Sequence, residues 1–280
     1  MDNITLIIKD YHIEHLGIGN ILKCLITALS INDDTVIECY PTYIYGQYDT
    51  ILEERFIYNP NIPTIKTLEK VYTCRFLIMT DEVPYQVSLP NEEWYNGGLE
   101  NPKFYQYFSL HTQIDWNYDP SMIHNMVKTR IFKNIDTLKF KQCVTHEVEQ
   151  FIGLFKGSST LGVSIRTWKS KHETNIMRPY TVDIYKHKLL EVLRAHSEVD
   201  TIVLSIDNRD YIEPYISYCN ELNIRYIILD KSDNMNDIQY AIIKALTLSH
   251  CNYFIGNRIS TFSELVFWFS KCRVKVYTVF

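Results

Sequence analysis

The chain has no apolar run long enough to span or enter a membrane. Ile4–Ile8, its longest near the N-terminus, falls far short of the roughly 20 residues a spanning helix needs and of a signal-peptide core. Blocks of lysine or arginine are also missing. With a formal charge of −5 and a pI near 6.0, the basic residues are scattered. That excludes a global positive field, and with it a nucleic-acid partner held by its phosphates. The cysteines show no CxxC and no Cys/His pair at zinc spacing, and Cys251 beside His250 reads as core. Seven thiols, odd in number and mostly set in apolar segments, are expected to be reduced and buried in a cytoplasmic protein. No metal and no resident cofactor is expected.

What is present is ample core material. At 280 residues, 46% hydrophobic and 22% charged, the chain can build one large or two medium domains. Thr5–Ile8 reads as a strand, Gly17-Ile18-Gly19-Asn20 as a glycine loop, and Ile21–Ile31 as a helix by its spacing. Thr35–Cys39 and Arg75–Met79 read as further strands, the latter closed by Thr80-Asp81-Glu82. Between Pro84 and Pro120, prolines and glycines interrupt any regular element while aromatics from Trp94 to Tyr118 crowd in. These rings either stack on the apolar faces of a bound sugar, with Glu93, His111 and Asp115 binding its hydroxyls, or fill a core. Met122–Phe155 is helical in texture, and Lys156-Gly157-Ser158-Ser159 is the expected linker. The domains are therefore expected to be 1–156 and 157–280.

The second half alternates cleanly. Strands are expected at Thr160–Arg166, Thr201–Ile206, Arg225–Leu229, Tyr253–Ile255 and Val274–Val279. Helices are expected between them at Asp183–His196, Ile212–Leu222, Asp237–Leu248 and Ser263–Lys271. Such alternation specifies a parallel, doubly wound α/β sheet, whose ligands bind beyond the carboxyl ends of the strands. Arg166, Asp207, Asp230 and Gly256-Asn257-Arg258 stand at those ends. An arginine there grips phosphate with two N–H groups, or makes an interdomain ion pair. Ser260-Thr261-Phe262-Ser263-Glu264 opens a helix after a strand. It is either an ordinary cap or a cradle of N–H groups and hydroxyls for phosphate, with Arg258 adding charge. Gly17-x-Gly19-Asn20 has no third glycine, so it is weak as a dinucleotide fingerprint. An NAD-dependent enzyme is accordingly a minor reading.

Three features now stand in order: Gly-x-Gly-Asn after the first strand, a midway strand ending Ile165-Arg166, and Ser249-x-Cys251-Asn252-Tyr253-Phe254-Ile255-Gly256 followed by Ser260-Thr261-Phe262-Ser263. In that order they resemble the fucosyltransferase-like glycosyltransferases. That group includes α1,2- and α1,6-fucosyltransferases, protein O-fucosyltransferases and bacterial nodulation fucosyltransferases. The resemblance covers most of the chain and is tightest at Leu161–Arg166 and Leu248–Ser270. A looser similarity is to the capsid-glycan glycosyltransferases of large algal viruses, which would place the protein in a host cytoplasm.

The resemblance implies a GT-B fold, two Rossmann-like domains with mainly parallel sheets facing across a cleft, the first on the acceptor side and the second on the donor side. It implies an inverting, metal-independent glycosyltransferase that uses a GDP- or UDP-sugar as co-substrate and a glycan hydroxyl as acceptor. Arg166 would then bind the leaving diphosphate, Ser260, Thr261, Phe262 and Ser263 would cradle it, and Asp207 would sit near the base or ribose. Gly17, Gly19 and Asn20 would shape the wall of the cleft. The proton acceptor would be Glu14, His15, Asp81 or His12, in that order. Where the family has a histidine before its arginine this chain has Ser164, and it lacks the second basic residue. Fucose and a pentose such as xylose are therefore both expected sugars. A non-catalytic nucleotide- or carbohydrate-binding module of the same fold is the alternative.

Overall fold

The computed structural model describes residues 5–8, 18–29, 34, 36–39, 46–58, 118–122, 125–167, 181–257 and 260–279. His12, Glu14, His15, Gly17, Arg75–Met79, Asp81, the aromatics from Trp94 to Trp116, Trp168 and Arg258 lie outside the described residues. The chain divides into two compact units, 1–141 and 142–280.

The first unit holds a parallel sheet in the order β1 (Thr5–Ile8), β2 (Val36–Cys39), β3 (Phe56–Tyr58). Parallel neighbours need a crossover, and α1 (Ile18–Ala28) stands between β1 and β2 in the chain. Its buried residues Ile18, Ile21, Leu22, Leu25 and Ile26, continued by Leu29, repeat at the three- and four-residue spacing that puts them on one face. Gly19 and Asn20 belong to this helix's first turn, so the helix starts earlier than its apolar run and the glycine loop is shorter than expected. Strand β3 is too short to show a period and was not expected from the sequence.

The helical stretch from Met122 breaks in two. Helix α2 (Asn125–Asp136) ends near Thr137, and the following segment pairs backwards onto the chain before β3. Leu52 and Phe140 form an antiparallel bridge, the Glu53 N–H donates to Lys139 O at 2.8 Å, and the Lys141 N–H donates to Ile51 O at 2.9 Å. Buried Asn134 donates its side-chain amide to Ile26 O at 2.8 Å, satisfying a carbonyl at the end of α1. These bonds hold everything up to Lys141 in the first unit. The next helix, α3 (Gln142–Leu154), packs instead on the second unit, so the division falls ahead of the expected Lys156/Gly157 linker.

The second unit is a five-stranded parallel sheet in the order β6 (Arg225–Ile228), β5 (Thr201–Ile206), β4 (Thr160–Ile165), β7 (Tyr253–Asn257), β8 (Lys275–Val279). Among the described residues four α-helices connect them: α4 (Val182–Ala195), α5 (Glu213–Glu221), α6 (Asp237–Leu248) and α7 (Thr261–Phe269). Every residue of β5 and all but Ser164 of β4 are buried, whereas β6 and β8 are largely half-exposed. Continuous burial marks strands covered on both faces, and partial exposure marks edges. Leu161, Val163, Leu204, Ile255 and the helix residues Tyr185, Leu189 and Tyr215 share one core.

Among the described cysteines, Cys39, Cys219 and Cys251 are buried as expected, but Cys143 on α3 is exposed. Burial pushes the Cys251 thiol up to about 12 and that of Cys219 to about 11, so neither is an available nucleophile.

Candidate functional site

The sheet order reverses at β4. From there the chain winds to β5 and β6 on one side, then crosses to β7 and β8 on the other. The connections out of β4 and β7 thus lead to opposite sides of the sheet, and it is at such a reversal, beyond the carboxyl ends of the strands, that sheets of this kind bind ligands. Val163 pairs with Ile255 and Ile165 with Ile206, so Arg166, the turn after Asn257, and Asp207 all leave the same edge.

Arg166 is half-buried and its backbone is pinned from below. Its N–H donates to the hydroxyl oxygen of Tyr185 at 3.2 Å, and Tyr185 is fully buried, edge-on to Tyr215. The next residue is held more firmly. The Thr167 N–H donates to both carboxylate oxygens of Asp207, at 2.9 and 3.0 Å, and its hydroxyl donates to Asp207 Oδ1 at 2.6 Å. Charge-assisted bonds of this kind are the stronger ones. Asp207, expected beside a base or ribose, thus straps down the loop that carries Arg166. We expect Asp207→Ala to weaken nucleotide binding about ten-fold while changing stability by only about 1 kcal/mol, because the lost bonds lie at the exposed sheet edge. Calorimetry with UDP or GDP and a melting curve would separate the two effects, and equal damage to both would contradict this role.

On the other side of the reversal, β7 feeds α7 through a tight turn. The Ser260 N–H donates to Asn257 O at 3.2 Å and the Glu264 N–H to Ser260 O at 3.1 Å. Ser263, expected to offer its hydroxyl to phosphate, is buried and accepts the Asn257 N–H at 3.0 Å. It builds the turn. Gly256 is required beneath it, since a Cβ there would lie 2.5 Å from both the Ser263 hydroxyl and the Phe254 ring.

Ser260 is the N-cap of α7, in extended conformation, yet its side chain makes no capping bond. Thr181 caps α4 and Asn236 closes a capping box on α6 with Gln239, whereas α5, with apolar Ile212 at its N-cap, has no side-chain capping bond either. The N–H groups of Thr261, Phe262 and Ser263 have no acceptor within the helix by its geometry. Together with the macrodipole they form an anion seat. Behind it, buried Glu264 accepts from Trp268 Nε1 at 3.3 Å.

Arg166, Asp207 and Ser260 to Ser263 are thus brought to one edge of one sheet. Gly19 and Asn20 belong to the other unit. Tyr185 and Thr167 were missed in the sequence because each acts through a contact with a residue well separated in the chain, Tyr185 with Arg166 and Thr167 with Asp207, which no local spacing announces. Among the described residues no group of three or more His, Cys, Asp or Glu could hold a metal ion, and no helix is long and apolar enough to cross a membrane.

The class these features define is an α/β fold of the GT-B type, with a doubly wound parallel sheet in its second unit. Solved fucosyltransferases share it. The chain is similar to POFUT1 in complex with GDP-fucose, with a TM-score of 0.51 over 98% of both chains at 9% identity. It is equally similar to the α-1,6-fucosyltransferase NodZ soaked with GDP-fucose, with a TM-score of 0.51 over 96% of this chain and 93% of that one at 14% identity. Se-Met NodZ from Bradyrhizobium gives 0.51 over 95% and 92%, also at 14% identity. No family model matches the sequence, and a search of curated proteins returned no match.

Proposed function

We propose that the protein is a glycosyltransferase that moves a sugar from a GDP- or UDP-sugar to a hydroxyl of a glycan acceptor. One observation carries the reading: an arginine and a helix N-terminus without a side-chain cap leave the same sheet edge, on either side of the strand-order reversal. Breaking a sugar–phosphate bond leaves a nucleoside diphosphate whose negative charge must be neutralised as it develops. Arg166 supplies a fixed cation with a two-pronged donor, and Thr261, Phe262 and Ser263 supply oriented N–H groups. Arg258, which stands between Asn257 and Ser260 in the sequence, is assigned a second positive charge for the same diphosphate.

In this reading the chemistry needs no metal, transfer is inverting, and the acceptor proton goes to a residue of the first unit. Glu14, His15, Asp81 and His12 are the candidates, and Gly17, Gly19 and Asn20 belong to the wall on that side. The transferred sugar is fucose or a pentose such as xylose. The fold likeness to enzymes crystallised with GDP-fucose supports a nucleotide-sugar donor.

The test is incubation with a panel of UDP- and GDP-sugars, following slow donor hydrolysis, alongside melting curves with UDP and with GDP. A ligand specific for the native state raises its stability by about 2.7 kcal/mol at a hundred times its dissociation constant. A positive shift with at least one nucleotide and hydrolysis of its sugar are expected. Nucleotide binding without hydrolysis of any donor would identify a binding module instead, and no shift with either nucleotide would end the reading.

A further inference from the structure

Lys244 of α6 is buried, only 9% exposed, at the carboxyl end of β5. Its ammonium donates to Ile206 O at 3.4 Å and stands 4.1 Å from the centre of the Tyr240 ring. Strand β6 ends at Ile228, opposite Leu204, and so does not reach Ile206. Past the bond from the Leu229 N–H to Leu204 O at 2.9 Å, the Asp230 N–H turns back to Ile228 O at 3.1 Å. A buried carbonyl needs a donor, and Lys244 supplies it from a helix.

The same peptide unit continues across the sheet. Its other end, the Asp207 N–H, donates to Ile165 O at 3.3 Å, as a trans peptide allows by pointing C=O and N–H in opposite directions. The Ile165–Arg166 unit repeats the pattern, its Arg166 N–H donating to the Tyr185 hydroxyl oxygen at 3.2 Å. A cation therefore heads a line of hydrogen bonds that ends on the backbone of Arg166 and on Tyr185. Bonds in such a line polarise one another. The Asp207 side chain ties the same two strand ends through its three bonds with Thr167.

Satisfying one carbonyl does not require a charge. A buried ammonium without a close counter-charge is a net cost to the fold, and burial pulls this one down to about 8. Asp207 at the end of β5 and Asp237 on α6 itself act against that pull. Beyond β6, Asp230 is paired with Arg209, and both act on Tyr240, whose hydroxyl donates to Leu229 O. Of the helices packed on α6, α3 brings Cys143 to Gln239, and α7 carries Glu264, which accepts from Trp268.

We propose that Lys244 is a positioning residue: its ammonium clamps the Ile206–Asp207 peptide and steadies the Asp207 carboxylate by charge, so that the strap on Thr167 holds Arg166 in place for a diphosphate. Lys244 itself touches no ligand. This rests on the glycosyltransferase reading above.

The experiment is calorimetric titration of the full chain, Lys244→Met, Asp207→Ala and the double variant with UDP, GDP and inorganic pyrophosphate. Lys244→Met is expected to lose about ten-fold in affinity for all three probes alike, since the diphosphate is what they share. In the double variant the two losses should not add, because Lys244 acts through Asp207. A second measurement needs no Lys244 variant: the ratio of wild-type to Asp207→Ala affinity, in which ionisation of the probe cancels. That ratio should be full near pH 7 and shrink as pH rises through about 8, since only the protonated amine holds the carboxylate by charge. Unchanged affinity in Lys244→Met, a loss confined to UDP and GDP, additive losses, or a ratio constant with pH would overturn the assignment. Binding of none of the three probes by wild type would instead overturn the glycosyltransferase reading on which it stands.

Discussion

Replacing Arg166 by alanine is expected to reduce sugar transfer by about 10²–10³-fold, the usual cost of removing one preorganised group that stabilises charge developing in the transition state. The fold should survive. The Arg166 backbone N–H donates to buried Tyr185, and alanine retains that N–H. Arg166→Lys should fall between the two, because an ammonium keeps the charge but loses the two-pronged geometry. Initial rates of transfer and donor hydrolysis, measured beside a melting curve, check this. Turnover unchanged in a folded Arg166→Ala protein would remove the basis of the proposed function.

The second large effect concerns packing. Gly256→Ala places a methyl group 2.5 Å from the Phe254 ring and 2.5 Å from the Ser263 hydroxyl. Phe254 is fully buried on β7, so the ring or the turn must shift. Overpacking of this kind costs roughly 1–3 kcal/mol. Where the turn shifts, the first turn of α7 moves with it, so diphosphate affinity should fall with stability. Combining Gly256→Ala with Ser263→Ala removes one of the two obstructing groups. The double variant should therefore be less destabilised than the sum of the singles. Chemical denaturation of the four proteins gives the coupling, and simple additivity would show that the Ser263 hydroxyl is not what excludes a side chain at position 256.

Strand positions in the second unit were legible because a doubly covered parallel sheet writes itself as short apolar runs separated by helical periods. Thr201–Ile206 and Asp237–Leu248 have the bounds the sequence indicates. Less was legible in the first unit. The three residues of β3 carry no period, and the break at Thr137 depends on backbone bonds to Ile51 and Glu53, far back in the chain. The linker was misplaced for a similar reason: Gly157 and Ser158 look like a hinge, but Val144 and Val148 of α3 bury against the second unit, and packing decides membership.

The candidate site divides along the same line. Sequence alone determined which residues stand at strand mouths and helix starts, since Arg166, Asp207 and Ser260 to Ser263 follow directly from where apolar runs stop. Residue chemistry also determined that an arginine and a run of small hydroxyl residues suit phosphate. Only the tertiary structure decided what each one does. The strand order brought Arg166 and α7 to the two sides of one reversal, a pairing set by chain crossovers and not by spacing. It turned Asp207 onto Thr167 and Ser263 onto Asn257, making supports of residues that look like ligands. It also brought Lys244 of a helix that reads as ordinary core beneath the end of β5. Local sequence fixes a residue's chemistry and its element. Which partner consumes that chemistry depends on neighbours distant in the chain, and only the fold supplies them.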